Sequence, residues 1–297
     1  MLFGEFVKKW KKTCRINTSE GWRKSQDQML RDYIDFYIAE KPLDKITYFD
    51  ISEIINAMNE KGRSSMMVKH VYNLLNRIFT AARDDFELID KSPIKPKLHR
   101  PTVVIAERAF LDIDDAEILL RHVAADRLYG RAIWIQMLCG LRVGEVQGLK
   151  WDEVDFKNNT ILIRRIWDAR ISKFKDHTKN KTQIRVPMPT PLVTYLKSQK
   201  GKPGDWVCHD TKGNHMSRNS YMPALKRLCK SAGVKKITTH ELRHTCSELW
   251  INFGASAEDI RRLLNHKSLN STKSYIHRTE FRLQKLATEV MTHLLAA

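Results

Sequence analysis

The chain has no pair of cysteines at C-x-x-C spacing. Its five cysteines, Cys14, Cys139, Cys208, Cys229 and Cys246, are scattered along 297 residues. Nothing in that spacing suggests a cysteine-based zinc site or a disulfide framework; a reducing cytoplasm fits this usage. No signal-peptide apolar core follows MLFGEFVKKWKK, and no apolar run reaches the ~20 residues of a membrane span. These absences predict an intracellular protein without a membrane partner. Internal repeats and low-complexity tracts are also missing. Acidic residues are outnumbered, 34 against 52 basic, for a formal charge of +18. Such a surplus favours polyanion partners. The apolar fraction of 42% is enough for a real core and excludes wholesale disorder.

The hydrophobic pattern predicts a mainly α fold with a small antiparallel β-sheet (α+β). FGEFVKKWKKT places Phe3, Phe6, Val7 and Trp10 at helical spacing, and QDQMLRDYIDFYIAE repeats it with Leu30, Tyr33, Ile34 and Tyr37. DISEIINAMNEKG reads as a helix with Asp50 at its N-cap and Gly62 at its end. In the next helix Val68, Val71, Leu75, Ile78 and Ala82 make an apolar stripe. Lys69, Asn73 and Arg77 stack on its other face, which is either a solvated surface or a DNA-facing one. Three prolines and five basic residues, His99 included, then interrupt the pattern over 91–103. The expected organisation is a helical domain over 1–92, a basic Pro-containing linker over 93–104 and a second domain over 105–297. In that second domain DIDDAEILLRHVAA is a helix behind an acidic start. AIWIQMLCG is a buried helix stopped by Gly140. NNTILIRRIW and QIRVPMP read as strands, and from Thr190 onward the pattern is helical almost to the end.

One stretch carries two incompatible chemistries. HELRH, from His240 to His244, matches the H-E-x-x-H spacing of zinc peptidases, and it also reads H-x-x-R, a phosphate-gripping pair of His240 and Arg243. A catalytic zinc needs a third protein ligand. The extended peptidase motif wants Gly and His where this chain has Ser247 and Trp250, and nothing singles out Glu258 or Glu280. Arg243 would also place a cation beside the metal, so the zinc reading is set aside and no metal is expected. On this helix Leu242, Cys246, Leu249 and Trp250 form the predicted core stripe, with His240, Arg243 and His244 on the opposite face. Elsewhere, Arg142 follows Gly140 at the end of the apolar helix, where a helix-end salt bridge with Glu145 is the plain alternative to a functional role. The basic stretch KFKDHTKNKTQIRVP supplies Lys173, Lys175, Lys179 and Lys181 on a turn before a strand.

GLRVGE, HELRHT, LLNHKS and TKSY occur in this order and spacing, and by them the chain resembles the tyrosine recombinases, the phage-integrase family. The resemblance covers nearly the whole chain: 1–92 would be a core-binding domain and 105–297 a catalytic domain with a tail helix. It implies that Arg142 and Arg243 clamp the scissile phosphate, since their planar forks match phosphate oxygens as lysine does not. It implies His240 and His266 as further phosphate donors, with His240 assisting proton transfer. Tyr275 would be the nucleophile of a 3′-phosphotyrosyl link. Lys179, eight residues before Pro187, would protonate the leaving 5′ oxygen, with Lys181 as the rival. Where the family usually has Gly before the second histidine, this chain has Asn265, which tolerates positive φ better than other non-glycine residues. Glu145 is read as orienting Arg142.

A phenol with a pKa of about 10 is a poor nucleophile. A cationic pocket lowers that pKa and stabilises charge developing on the phosphoryl oxygens, so neither metal nor nucleotide cofactor is expected. The implied function is site-specific DNA recombination for integration or excision of a phage or mobile element. The implied partners are double-stranded DNA, a homotetramer formed on it from monomers by way of a Holliday junction, and DNA-bending accessory proteins. Its place would be the cytoplasm, on the nucleoid when bound. Further DNA contacts would come from Lys69, Asn73, Arg77, Lys173, Lys175 and Lys181. A terminal stripe of Leu283, Leu286, Val290 and Leu294 would dock on a neighbouring protomer or on its own domain. An N-terminal arm-binding module is expected to be absent, or lost by truncation. Two other readings stay open: a type IB topoisomerase sharing the chemistry, and a catalytically silent DNA-binding protein.

Overall fold

The computed structural model describes residues 1–103, 109–176 and 184–265. The chain divides into two compact units, Met1–Glu107 and Arg108–Ala297.

In the first unit, α1 (Phe3–Thr13) buries Phe3, Phe6, Val7 and Trp10, the four positions its spacing predicts. Glu5 accepts the Leu2 amide at its start (3.0 Å) and Lys11 and Lys12 lie in its last turn, both favourable to the helix dipole. The expected second helix is three segments in line: α2 (Glu20–Met29), a π-helical turn (Leu30–Ile34) and α3 (Asp35–Ile38). Because the π turn is wider than an α turn, residues four apart fall on one face. Leu30, Ile34 and Ile38 are therefore buried, while Tyr33 and Tyr37 of the predicted stripe are half-buried. α4 (Tyr48–Glu60) starts earlier than predicted. Thr47 is its N-cap, and Asp50, expected at that position, is the third helical residue, accepting the Thr47 amide at 2.8 Å. α5 (Ser65–Asp84) buries all five residues of the expected stripe. Phe3 and Phe79 pack with ring centroids 5.6 Å apart, and Phe6 meets the half-buried Phe86 edge-on at 5.2 Å; each fully buried ring, Phe3, Phe6 and Phe79, contributes about 1.5–3 kcal/mol.

The segment expected to be a free linker is partly structured. Ile94 is buried in the first unit's core, and α6 (Pro96–His99) is one helical turn that packs on α4. Pro96 stands at the first helical position, where its missing N–H costs nothing and its fixed φ suits the helix. Proline ends helices, but it also starts them.

The second unit is built round α8 (Gly130–Cys139). Ile133, Ile135 and Met137 are fully buried, and α7 (Ile113–Val123), α9 (Val143–Gln147), α10 (Thr190–Lys197) and α12 (Thr239–Asn252) pack on it. The run NNTILIRRIW, expected as one strand, is divided at Arg164. β2 (Thr160–Ile163) lies between β1 (Val154–Asp155) and β5 (Ile184–Pro187) in an antiparallel sheet, whereas β3 (Arg165–Asp168) forms a separate hairpin with β4 (Lys173–Asp176). The stretch after α10 is not continuously helical. Between it and α11 (Arg218–Ser231) the chain makes turns at Gly204 and Gly213, both at positive φ, and a bridge between His209 and His215. The Gly, Pro and Asn residues of KPGD and KGN outweigh the helical pattern there. α13 (Ala257–Leu263) follows α12. Among the described residues no helix is long and apolar enough to cross a membrane.

Candidate active site

α8 ends at Gly140, in the left-handed region with φ 64°. A Cβ there would lie 2.5 Å from Leu264 Cδ2 and 3.3 Å from Cys246 Sγ, so both the turn and the packing demand glycine. Leu141 then turns inward, 2% exposed, and Arg142 becomes the N-cap of α9. The sequence placed Arg142 at the favourable, C-terminal end of a helix. It stands instead at the N-terminus of the next one, where the dipole opposes a cation. Glu145 supplies the compensating charge: its Oε2 accepts the Arg142 amide at 2.7 Å and its Oε1 accepts Arg142 Nη1 at 3.1 Å. Glu145 thus holds Arg142 as the sequence reading expects. The Arg142 side chain is 41% exposed over a carboxylate only 7% exposed.

Thr238 caps α12, and Glu241 returns the bond, its Oε2 accepting the Thr238 amide at 2.6 Å. The glutamate of HELRH is therefore half of a capping box, bonded to backbone. His240 is exposed, and its ring centroid is 5.9 Å from that of His244. Arg243 departs from the predicted shared face: its side chain is 6% exposed. It donates from Nη1 to the Gly140 carbonyl and from Nη2 to the Leu264 carbonyl, and Nη1 lies 4.0 Å from Glu145 Oε2. Leu249 and Trp250 of the predicted core stripe are only half-buried, while Thr245, Ser247 and Glu248 are buried. The cause is that α12 is covered on more than one side, with α8 and α13 both against it. Its inward hydroxyls are satisfied locally, Ser247 Oγ donating to the Arg243 carbonyl at 3.2 Å and Thr245 Oγ1 to that of Glu241 at 2.9 Å.

Arg142 from the start of α9 is thereby gathered with Arg243 and the exposed His240 from α12, far from it in sequence. Glu145 links the arginines, and Gln136 links the segments that carry Arg142 and His240. Gln136 Nε2 donates to the carbonyls of Leu141 (3.1 Å) and Thr239 (3.4 Å), and its Oε1 accepts the Tyr221 hydroxyl at 2.8 Å. The sequence reading missed Gln136. The signal was there, a lone polar residue inside AIWIQMLCG. At the end of α13, Asn265 takes φ 48°, the positive value expected of the residue before His266. Burial raises the Cys139 and Cys246 thiols, the second to about 12, which makes both packing groups rather than thiolates.

The hairpin β3–β4 carries its own ion cluster. Burial alone would raise the Asp168 carboxyl, but hydrogen bonds from Arg170 (3.1 Å) and Lys175 (2.6 Å) outweigh it and hold it at about 2. Lys175, a proposed DNA contact, is thus engaged within the chain, while Lys173 is exposed. In the first unit, Asn73 is exposed and Lys69 half-buried. Arg77 lies over the Trp10 ring at 5.7 Å and donates to the Cys14 carbonyl at 2.9 Å. Lys179, Lys181, His266, Tyr275 and the 283–294 stripe lie outside the described residues. Among the described residues no three His, Cys, Asp or Glu side chains are grouped to hold a metal ion.

Known proteins resemble this chain in sequence and in fold. The model of the "Phage integrase family" matches residues 109–282, and that of the "Phage integrase, N-terminal SAM-like domain" matches residues 2–59. The ICEBs1 integrase of Bacillus subtilis is 23% identical over 276 residues, 88% of this chain and 74% of that protein. Tyrosine recombinase XerD of Listeria monocytogenes is 24% identical over 275 residues, covering 88% and 89%. Among solved structures, the Tn1549 transposon integrase in complex with circular intermediate DNA superposes with a TM-score of 0.77 at 20% identity, covering 93% of this chain and 95% of that one. A lambda integrase tetramer bound to a Holliday junction gives 0.68 at 17%, covering 92% and 77%. At these identities the structural likeness is one of fold.

Proposed function

The chain belongs to the phage integrase family, and from this we propose that it is a site-specific DNA recombinase that cuts and rejoins DNA through a 3′-phosphotyrosyl intermediate. The observation that supports it most is the gathering of Arg142, Arg243 and His240 about Glu145 and Gln136. In this reading Arg142, the more exposed guanidinium, takes the phosphate oxygens. Arg243, itself buried, adds positive charge from a position where a fixed charge is less screened by water. His240 donates to a further oxygen. The Tyr275 hydroxyl loses its proton with the help of His240 and its oxygen attacks phosphorus; the bond from phosphorus to the 5′ oxygen breaks, and Lys179 or Lys181 delivers a proton to that leaving oxygen, which becomes a 5′ hydroxyl. Rejoining reverses each step with a 5′ hydroxyl from another strand, and the energy of the phosphodiester is kept in the phosphotyrosyl bond. His266 completes the donor set. The partner is double-stranded DNA, bound by an oligomer that we take to be a tetramer passing through a Holliday junction. The biological role that fits is movement of a phage or mobile element.

The experiment is covalent trapping. Wild type and Tyr275→Phe are incubated, with EDTA present, with DNA spanning the gene's own genomic surroundings. The mixture is denatured in SDS and the protein-linked ends are sequenced. An adduct at one reproducible position in wild type alone is the expected result. Adducts at scattered positions would favour the topoisomerase reading, and tight, salt-sensitive binding with no adduct would favour a silent DNA-binding protein.

A further inference from the structure

The turn from α8 to Arg142 is held residue by residue from elsewhere. Arg243 takes the Gly140 carbonyl, Gln136 the Leu141 carbonyl and Glu145 the Arg142 amide. Arg243 also reaches the Leu264 carbonyl, but Gln136 is the one of the three that ties together the residues preceding Arg142 and His240. Leu141 immediately precedes Arg142, Thr239 immediately precedes His240, and one amide nitrogen donates to both of their carbonyls. Gln136 and Tyr221 are fully buried, Leu141 is 2% exposed and Thr239 5%. The partners fix the amide's orientation: two carbonyls need the NH2 end, which leaves Oε1 to accept the Tyr221 hydroxyl. A leucine or methionine would fill this apolar helix position without placing a polar group in the core, where an amide is costly unless every group is bonded. Packing therefore does not explain glutamine at this position, whereas its three bonds do.

We propose that Gln136, oriented by Tyr221, is a positioning residue that fixes the spacing between Arg142 and His240 on either side of the scissile phosphate. The proposal rests on the reading above of those two residues as phosphate donors. Two carbonyls bonded to one nitrogen cannot move apart without breaking a bond, so any slip of α8 against α12 is resisted where it would spread the phosphate donors. Tyr221 extends the brace to α11, and its hydroxyl keeps the amide from rotating its oxygen toward the two carbonyls.

The test uses Gln136→Met, which keeps size and apolar packing, and Tyr221→Phe, which removes one oxygen. Single-turnover adduct formation at saturating DNA is compared with DNA affinity by titration. Gln136→Met should slow adduct formation about 100-fold, the usual consequence of donors displaced by about 1 Å. Tyr221→Phe should slow it about tenfold, the equivalent of one neutral hydrogen bond. DNA affinity should stay within about twofold in both, because charge dominates it. Hydrogen exchange is measured on the same proteins without DNA. Amides of 140–146 and 238–242 should exchange faster in both variants while the rest of the second unit is unchanged. Wild-type adduct rates in both variants would overturn the proposal, and so would exchange raised evenly across the unit, which marks a general loss of stability. If wild type forms no adduct that Tyr275→Phe lacks, the recombinase reading falls and takes the catalytic purpose with it. The exchange pattern then still decides whether the brace itself exists.

Discussion

Replacing Glu145 by glutamine removes a charge while keeping shape and an acceptor oxygen, and the structure sets what that should do. Glu145 accepts a bond from the Arg142 amide and another from the half-exposed Arg142 guanidinium, and it lies 4.0 Å from the buried Arg243 guanidinium. The ion pair with Arg142 is open to solvent and is worth at most about 1 kcal/mol. The Arg243 pair amounts to about 4 kcal/mol of attraction at an effective dielectric of about 20, most of it offset by desolvation of the carboxylate. The amide bond at the helix start is worth about 1 kcal/mol, and glutamine retains it. Glu145→Gln should therefore lose about 1–3 kcal/mol, or a few degrees of Tm for each kcal/mol in a domain of this size, and Glu145→Ala about 1 kcal/mol more for the lost cap. Thermal unfolding of the two variants measures both quantities. Adduct formation should fall about tenfold or more in Glu145→Gln, since Arg142 loses the charged partner that aims it. If Glu145→Gln melts with wild type and only Glu145→Ala falls, the carboxylate is a helix cap and the electrostatic account is refuted.

Asn265, at φ 48°, should accept glycine with little change, whereas Asn265→Val should cost about 1–2 kcal/mol, read by urea unfolding. Gly144→Ala would put a Cβ 2.6 Å from the Trp167 carbonyl and 2.9 Å from Ile166 Cγ2. It should destabilise the packing of α9 on β3 by about 1–3 kcal/mol, with equal stability refuting the contact. Asp168 is held at about 2, below its ordinary 3.8, so its stabilising effect is full above about pH 4 and is lost as pH falls toward 2. Its partners are 52% and 41% exposed, which limits that effect to about 1 kcal/mol. Asp168→Asn should therefore be less stable than wild type at pH 6 and match it near pH 2, by denaturant titration at each pH.

The helices whose apolar residues follow one period were legible in the sequence. α1 and α5 bury the residues their spacing names, because there each helix presents a single face to the core. Legibility failed where a local device changed the period or a neighbour covered a second face. The π turn at Leu30–Ile34 shifted the buried positions by a fraction of a turn. Arg243 was read as outward because a charged residue ordinarily is, but two backbone carbonyls and a nearby carboxylate make its burial tolerable. Arg142, His240 and Arg243 were singled out by motif and spacing. Gln136 was not, because a bond between one side chain and two distant carbonyls leaves no trace in local spacing beyond an odd polar letter in an apolar run.

The capping box at the head of α12 sets a limit for protein engineers. HELRH invites the addition of a third ligand to make a hydrolase, yet its glutamate already closes the first turn of its own helix at 2.6 Å. Recruiting Glu241 to activate water would unfasten that turn, at about 1 kcal/mol, and would loosen His240, the residue meant to bind the metal. A designer would have to build a new helix start before adding any zinc ligand.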